Sequence, residues 1–400
     1  MLDEGDILLS EDTDGEILLR IECNYAQKTG TLEVLRSSRP LYIGQIPVRD
    51  RISLNDGDTI TLGEGQYLRC HFSDRIIEEE RNTIRQIEVR ELSHRFDGRD
   101  TAQDGVSFIA RRGEMICVMG PSGCGKSTLL RILGGQLKPR GGEVLMNGMP
   151  LYGNLHNLTP YIAYIPQEDA FDPLLKVQEN LDFSVAVRCP HLKTEERRKR
   201  VDAKLAELGL ADLRKRLAGT PQQKFLSGGE RKRLNAGLDM IGISDVYLFD
   251  EPTSGLSSKD SEHVLEIIRS LARNKIVLTS IHQPSSRLLA MFDKALLLDK
   301  GGKMAFFGTP QGMLEYFWRV YHTETGHAGD ADTKVPDNLT PDFVFDVLET
   351  PLRDISGDII QERSADGHLV AARRFPPNFW RDAYQRHLIM ESMAKQQLAP

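Results

Sequence analysis

The stretch from Gly120 to Thr128 has the composition of a loop that binds phosphate. Its glycines would let backbone N–H groups curl around an anion without interference from side chains. Lys126 would reach the outer phosphates, and the Ser127 hydroxyl would be a ligand of Mg²⁺. Chance produces this pattern in roughly 1–2% of chains of this length, so we interpret it as a phosphate-binding site. The predicted loop comprises Gly120, Pro121, Ser122, Gly123, Cys124, Gly125, Lys126, Ser127 and Thr128.

The elements that must position this loop are a strand before it and a helix after it. The apolar run Met115–Met119 predicts a buried strand, and Ser127–Leu133 has helical periodicity. The amino end of such a helix carries partial positive charge, which favours an anion. The loop therefore stands in the strand–loop–helix context that phosphate binding requires.

A second apolar run, Val246–Asp250, ends in the adjacent carboxylates Asp250 and Glu251. We expect Asp250 to hold Mg²⁺ through the water shell of the ion. We expect Glu251 to polarise an attacking water, a role worth about 10²–10⁴ in rate. An apolar run that ends in Asp-Glu is more often a plain strand edge, but together with the phosphate loop it predicts nucleotide hydrolysis.

The pentad Leu226–Glu230 lies between these two motifs and reads Leu-Ser-Gly-Gly-Glu. Ser227, Gly228 and Gly229 at the start of a helix would again suit the close approach of a phosphate. An ordinary capped helix start is the alternative, although it would not need two adjacent glycines. Chance produces the pentad with a frequency on the order of 10⁻³, so we interpret it as part of a nucleotide site.

With these motifs in this order, the chain resembles the ATP-binding cassette (ABC) ATPases, which use ATP and Mg²⁺. The resemblance implies that the pentad completes the ATP site of a second copy. It also implies that Gln167 ligates Mg²⁺ and senses a membrane partner, that His282 contacts the γ-phosphate, and that Phe96 stacks on adenine. We therefore expect Lys126, Gln167, Glu251 and His282 to be the catalytic residues.

The chain departs from the family pattern at Ser257, where the family usually has an aspartate that couples the two ATP sites. We expect phosphate to bind despite this difference. The sequence does not determine whether the two sites are cooperative.

Several further stretches resemble the G-type branch of the family, which includes the White and pleiotropic-drug-resistance transporters. They are Glu230–Leu238, Glu251–Leu256, His282–Ser286, Phe306–Pro310 and Thr340–Phe343. In that branch a connecting helix joins the cassette to membrane helices, and Phe379–Tyr384 resembles its start. The resemblance implies export of hydrophobic or lipid-like substrates. We expect the transmembrane domain to belong to the same full-length chain; a separate permease subunit is the alternative.

Changes in composition and periodicity divide the chain into three regions. Residues 1–82 contain short apolar runs and turn signals and predict a small all-β domain, with a hairpin across residues 59–72. Residues 87–320 alternate strand-like and helix-like runs and predict an α/β P-loop NTPase of the ABC type, with a mixed sheet core and a helical subdomain. Residues 321–400 predict a loop followed by two helices, 341–350 and 376–398. The spacing of Trp380, Tyr384 and Leu388 places them on one face of the second helix. The charged run 74–85 is predicted to be a linker.

The β domain weakly resembles a forkhead-associated (FHA) fold through Leu41–Gly44 and Leu54–Gly63. Gln45 stands where that fold's phosphothreonine readers have an arginine. We therefore predict a regulatory or docking module that does not read phosphothreonine; a stabilising β appendage is the alternative.

Composition excludes several classes of protein. The net charge is −7, which argues against a general binder of nucleic acid. Residues 194–213 predict a surface helix, and the basic run Arg197–Arg200 lies near its start. Because acidic residues border the run, we interpret it as a solvated helix face rather than a nucleic-acid patch. No run approaches the ~18 apolar residues of a membrane span, and the acidic amino end is unlike a secretory signal. We expect a soluble protein at the cytoplasmic face of the membrane, with reduced thiols at Cys23, Cys70, Cys117, Cys124 and Cys189.

We weighed three functions. The first is an energy-coupling ATPase of a transporter, whose two copies sandwich two MgATP. The second is a soluble ABC ATPase that acts on ribosomes or nucleic acid, which usually carries tandem cassettes or a long coiled coil that this sequence lacks. The third is an inactive scaffold, which the joint presence of Lys126, Glu251 and His282 opposes.

Overall fold

The computed structural model describes residues 17–37, 41–43, 46–63, 66–81, 84–96, 101–190, 192–220, 222–223, 225–242, 244–325, 335–336, 338–363 and 369–397. The chain divides into two compact units, Met1–Thr83 and Ile84–Pro400.

The first unit is built from two antiparallel sheets. A three-stranded sheet has the order β1-β2-β5, and a five-stranded sheet has the order β4-β3-β6-β7-β8. Leu32, Leu54, Ile60 and Phe72 are buried in the apolar core of the unit. The strands are β1 (Ile17–Asn24), β2 (Thr29–Ser37), β3 (Leu41–Ile43), β4 (Ile46–Val48), β5 (Arg51–Asn55), β6 (Thr59–Gly63), β7 (Gln66–His71) and β8 (Ile76–Arg81).

The hairpin predicted across residues 59–72 is confirmed, since β6 and β7 pair antiparallel. The predicted linker is wrong at β8, which forms a strand and pairs antiparallel with β7. Ile77 packs against the core, and the six-residue ladder to β7 pairs the strand. Charged residues dominate this run, so its sequence has little strand periodicity. Gly44 and Gln45, on which the FHA resemblance partly depends, lie outside the described residues.

A ten-stranded mixed sheet forms the centre of the second unit. Its order is β13-β12-β9-β10-β18-β17-β11-β16-β15-β14, and the strands from β17 to β14 in this order are parallel neighbours. The strands are β9 (Gln86–Arg95), β10 (Thr101–Arg111), β11 (Met115–Met119), β12 (Gly141–Met146), β13 (Met149–Pro150), β14 (Ile162–Ile165), β15 (Val246–Asp250), β16 (Ile276–Ile281), β17 (Lys294–Asp299) and β18 (Lys303–Gly308). A separate hairpin consists of β19 (Gln361–Arg363) and β20 (Leu369–Ala371).

Helices cover both faces of this sheet. Successive residues of β11 show this directly, because Cys117 belongs to one buried apolar cluster and Ile116 and Val118 to another. The helices are α1 (Lys126–Leu133), α2 (Leu155–Leu158), α3 (Val177–Arg188), α4 (Thr194–Glu207), α5 (Gly228–Met240), α6 (Ser258–Ala272), α7 (Ser286–Leu289), α8 (Pro310–Glu324), α9 (Pro341–Glu349) and α10 (Pro377–Gln397). The predicted fold class, an α/β domain preceded by small β sheets, is therefore confirmed.

Two predicted boundaries differ from the structure. The helix predicted over 194–213 ends at Glu207, because Gly209 has a left-handed φ of 62° that terminates it. The predicted loop from Tyr321 is wrong at its start, since α8 continues to Glu324. Residues 326–334 and 337 of that predicted loop lie outside the described residues.

The first half of α10 belongs to the core of the second unit. The indole of Trp380 is fully buried, with its ring centre 4.6 Å from that of Phe317 and 5.5 Å from that of Phe375. The Tyr384 hydroxyl donates a hydrogen bond to the Phe307 carbonyl at 2.6 Å. Leu388, predicted to share this face, is instead 42% exposed. The helix therefore changes from a core element to a surface element along its length.

We expect Trp380→Ala to destabilise the second unit by about 3–5 kcal/mol, because it leaves a large cavity among aromatic side chains. The measurement is the thermal unfolding midpoint. Gln385→Ala, on the exposed side of the same helix, is the control and should change stability by no more than about 0.5 kcal/mol. Equal midpoints for the two variants would contradict a core role for α10.

Candidate functional site

The predicted phosphate loop runs from the end of β11 to the amino end of α1, and its backbone path requires glycine. Gly120, Gly123 and Gly125 have φ values of 148°, 75° and 104°, which side chains rarely tolerate. A Cβ on Gly120 would lie 2.1 Å from the carbonyl oxygen of Leu298. The loop is thus pressed against β17 and leaves its exposed side, at Ser122 and Gly123, free for an anion.

Lys126 is held inside this loop and is only 5% exposed. Its Nζ donates hydrogen bonds to the carbonyls of Gly120 at 2.9 Å and Pro121 at 3.1 Å. It forms no ion pair with a carboxylate of the described residues. Because a buried ammonium without a counter-charge is costly, the loop fits an anionic ligand that supplies one.

Cys124 packs beneath the same loop. Burial raises the pKa of its thiol to about 11, against the opposing effect of the Lys126 charge. The thiol therefore stays protonated at neutral pH and is a packing group rather than a nucleophile.

The carboxylate of Asp250, at the end of β15, gathers hydroxyl groups from three elements. It accepts hydrogen bonds from Ser127 Oγ at 3.0 Å, Ser280 Oγ at 2.7 Å and the Tyr164 hydroxyl at 3.0 Å. Burial raises the pKa of Tyr164, so this phenol stays a donor. Asp250 is thereby fixed against the start of α1, where Ser127 is exposed.

Glu251 follows directly in a left-handed backbone conformation, with a φ of 47°. Non-glycine residues seldom adopt it, and such strain clusters at functional sites. The N–H of Glu251 donates to Ser280 Oγ at 2.8 Å, and Gln167 Nε2 donates to Glu251 Oε2 at 3.1 Å. The structure thus brings Gln167 and Glu251 together beside Asp250.

His282 and Phe96 stand apart from this hydrogen-bonded group. His282 is exposed and follows the end of β16, which pairs with β15 so that Ser280 is opposite Asp250. Phe96 follows β9, and its ring centre lies 4.7 Å from that of His94, with the two rings nearly perpendicular. Their roles with the γ-phosphate and adenine stay predictions.

Ser227 caps helix α5. Its Oγ accepts from the Glu230 N–H at 3.2 Å, and Glu230 Oε2 accepts from the Ser227 N–H at 2.6 Å, which is a capping box. A Cβ on Gly228 would lie 3.2 Å from Leu256, and one on Gly229 would lie 2.9 Å from Asp260 Oδ1. A Cβ at either position would therefore meet only side-chain atoms of this chain. Within the described residues, no hydrogen bond joins this motif to residues 120–128.

Side chains of helix α5 form an ion pair and hydrogen bonds with the segment that carries Gln167. Arg231 pairs with Asp169 at 2.6 Å, and the Asn235 side chain accepts from the Ala170 N–H at 2.7 Å. Lys232 donates to the Gln167 carbonyl. The sequence alone did not predict these contacts, although the basic run Arg231–Arg233 directly after the pentad was an available signal.

Ser257 caps α6 in the same way that Ser227 caps α5. Its Oγ accepts from the Asp260 N–H at 3.2 Å and donates to Asp260 Oδ2 at 2.7 Å. An aspartate at this position would make the cap but could not donate to Asp260.

A magnesium ion here would depend on few protein ligands. Among the residues the structure describes, no three His, Cys, Asp or Glu side chains form a group that could hold a metal. The Ser127 hydroxyl and the Gln167 amide are oxygen donors of the type Mg²⁺ prefers, and Asp250 could act through water. Such a set fits an ion that takes its other ligands from phosphate and water.

Comparisons with known proteins found two family models that match parts of this chain. Residues 103–254 match the sequence model of the ABC transporter family, and residues 282–363 match that of ABC-2 type transporters. The second match covers β17, β18, α8 and α9. No helix in the described part of the chain has the length and apolarity needed to cross a bilayer.

Three curated relatives are transporters. The chain is 35% identical over 264 residues to ABC transporter G family member 20 of Arabidopsis thaliana, covering 63% of this chain and 34% of the relative. It is 40% identical over 220 residues to member 14 of the same plant, covering 54% and 33%. It is 37% identical over 236 residues to the broad substrate specificity ATP-binding cassette transporter ABCG2 of Rattus norvegicus, covering 58% and 34%.

The chain spans about a third of the length of these relatives. The matches point to a membrane transporter and do not support the prediction of a soluble protein, and they do not confirm the FHA-like resemblance of the first unit. The chain contains an ABC transporter ATP-binding domain, followed by a segment of the ABC-2 type, and it is homologous to the ABCG-family transporters.

Proposed function

We propose that this chain binds and hydrolyses MgATP as the energy-coupling part of a G-type ABC transporter. The observation that carries the proposal is the hydrogen-bonded group in which Asp250 meets Ser127 and Glu251 meets Gln167, next to the buried Lys126. The alternative, an ATPase that acts on ribosomes or nucleic acid, has no comparable support, because the relatives are transporters.

Each residue of the site has a distinct part in hydrolysis. The glycine-rich loop and the amino end of α1 bind the phosphates through backbone N–H groups, and Lys126 offsets their charge. When bound, Mg²⁺ neutralises charge on the phosphate oxygens. Glu251 accepts a hydrogen bond from the attacking water, aligns it, and takes its proton as the water attacks. His282 contacts the γ-phosphate, and Phe96 stacks on the adenine.

Two copies of the chain form the working unit. The chain has one phosphate loop and one Ser-Gly-Gly motif, and no hydrogen bond joins the two within the described residues. In the proposed dimer, Ser227, Gly228 and Gly229 of one copy complete the site of the other. The closed dimer binds ATP more tightly than the open one, and this difference supplies the work of transport.

The membrane domain belongs to the same full-length chain and exports hydrophobic or lipid-like substrates across the cell membrane, at whose cytoplasmic face the cassette works. This step rests on similarity to G-family transporters at the level of family. The segment 321–400 leads to that domain through α10. Residues 1–82 serve as a regulatory or docking module.

We expect Glu251→Gln to lower ATP turnover by at least about 10²-fold while MgATP still binds, because an amide cannot take the proton. The amide oxygen can still accept from Gln167, so the site should keep its geometry. Light scattering of this variant should show dimers with MgATP and monomers without it.

Glu266→Gln, an exposed change on α6, is the matched control and should leave turnover unchanged. Unchanged turnover in Glu251→Gln would contradict the catalytic assignment. A monomer at saturating MgATP would contradict the shared site, but it would not contradict the binding of ATP by a single copy.

Lys126→Met removes the buried charge and keeps the length of the side chain. We expect MgATP affinity to fall about 10- to 100-fold, the equivalent of one or two lost charged hydrogen bonds, measured by isothermal titration. The nucleotide-free melting temperature should change little, because removal of the buried charge and loss of its two hydrogen bonds to loop carbonyls act in opposite directions. Lys259→Met, on the exposed start of α6, is the control. Equal affinity in the two variants would contradict phosphate binding by this loop.

For the first unit, we expect no binding of a phosphothreonine peptide library at micromolar concentrations, measured by fluorescence polarisation against the unphosphorylated library. Micromolar binding that depends on the phosphate would overturn the proposed module.

A further inference from the structure

The side chain of Gln103, on β10, is fully buried beside the phosphate loop. Its Nε2 donates a hydrogen bond to the carbonyl oxygen of Gly125 at 2.8 Å. Its Oε1 has no hydrogen-bond partner among the described residues. A buried polar atom without a partner is destabilising, and a leucine of similar size would avoid that cost. The amide is therefore explained by the bond it makes to Gly125.

Gly125 is the residue at which the loop becomes helix α1. Its carbonyl also accepts from the Leu129 N–H at 2.9 Å, so the helix and Gln103 hold it from two directions. A Cβ on Gly125 would lie 2.1 Å from the Ala102 carbonyl oxygen and 2.7 Å from Gln103 Nε2. Strand β10 is thus in direct contact with the loop at this peptide.

The backbone next to Gln103 is anchored by other elements. The Asp104 N–H donates to the Gly302 carbonyl at 3.0 Å. The Asp104 carboxylate pairs with Arg381 of α10 at 3.2 Å and also with Lys303. The amide of Gln103 is therefore presented to Gly125 from a fixed position.

We propose that Gln103 is a positioning residue of the ATP site. The carbonyl of Gly125 and the N–H of Lys126 belong to one planar peptide group and point in opposite directions. A hydrogen bond that fixes this carbonyl therefore fixes the direction of the Lys126 N–H, one of the donors in the phosphate loop. The inference rests on the proposed binding of ATP and extends it to a residue outside the loop.

The test compares Gln103→Leu with the unaltered protein, both in the Glu251→Gln background so that MgATP is not consumed. We expect the Kd for MgATP, measured by isothermal titration, to rise about 3- to 10-fold, as for one lost hydrogen bond. The nucleotide-free melting temperature should stay equal or rise, because Leu leaves no unpaired amide oxygen.

Gln103→Glu adds a readout that a purely structural role would not move. An ionised carboxylate repels the Gly125 carbonyl, whereas a protonated one donates to it, and burial raises the pKa of such a group. The MgATP affinity of this variant should therefore recover as the pH falls from about 8 to about 6, relative to the parent protein at each pH.

Thr279→Val is the matched control. Thr279 is also fully buried, and its Oγ1 has no partner among the described residues. The change should leave the Kd for MgATP unaltered and keep or raise the melting temperature.

The outcomes separate the two proposals. Absence of MgATP binding in the parent protein would overturn the proposed function and this inference with it. Binding in the parent and an equal Kd in Gln103→Leu would overturn the inference alone. Weaker binding that accompanies a lower melting temperature, without recovery of Gln103→Glu at low pH, would assign Gln103 a general structural role and also overturn it.

Discussion

The arrangement of the site depends on the carboxylate of Asp250. This one group, buried at the end of the parallel strand β15, accepts hydroxyl hydrogen bonds from α1, β14 and β16. A buried carboxylate is tolerated only where such donors satisfy it. The same Ser280 hydroxyl that donates to Asp250 accepts from the N–H of Glu251. The Ser280 hydroxyl, which donates to Asp250, therefore also holds the strained backbone of Glu251.

Helix α5 extends this arrangement to the segment that carries Gln167. The side chains of Lys232 and Asn235 form hydrogen bonds with the backbone of residues 167–170, and Arg231 forms an ion pair with Asp169. The side chain of Gln167 in turn donates a hydrogen bond to Glu251. The helix whose first turn contains the Ser-Gly-Gly motif thus lies one side chain away from the carboxylate proposed to align water. A displacement of α5 would be transmitted to Glu251 through contacts that are already formed.

Most of the fold and the main motifs could be predicted from the sequence, because they depend on local patterns. The glycines of the phosphate loop and the apolar run before Asp250 are examples. The partners of those motifs could not be predicted. Tyr164 meets Asp250 across 86 positions of sequence and Gln103 meets Gly125 across 22, and no local periodicity encodes such contacts. The strand Ile76–Arg81 was missed because one core-facing isoleucine is a weak signal among charges.

The burial of Trp380 also determines where the ATP-binding domain ends as a folding unit. The ABC-2 match stops at residue 363, yet the aromatic side chains of Phe317 and Tyr316 pack against a helix that begins at Pro377. A fragment cut at the family boundary would leave these rings facing water, and exposed apolar patches of this kind favour aggregation. The same helix leads on towards the proposed membrane domain, so the cassette completes its own core with the segment that links it to its partner.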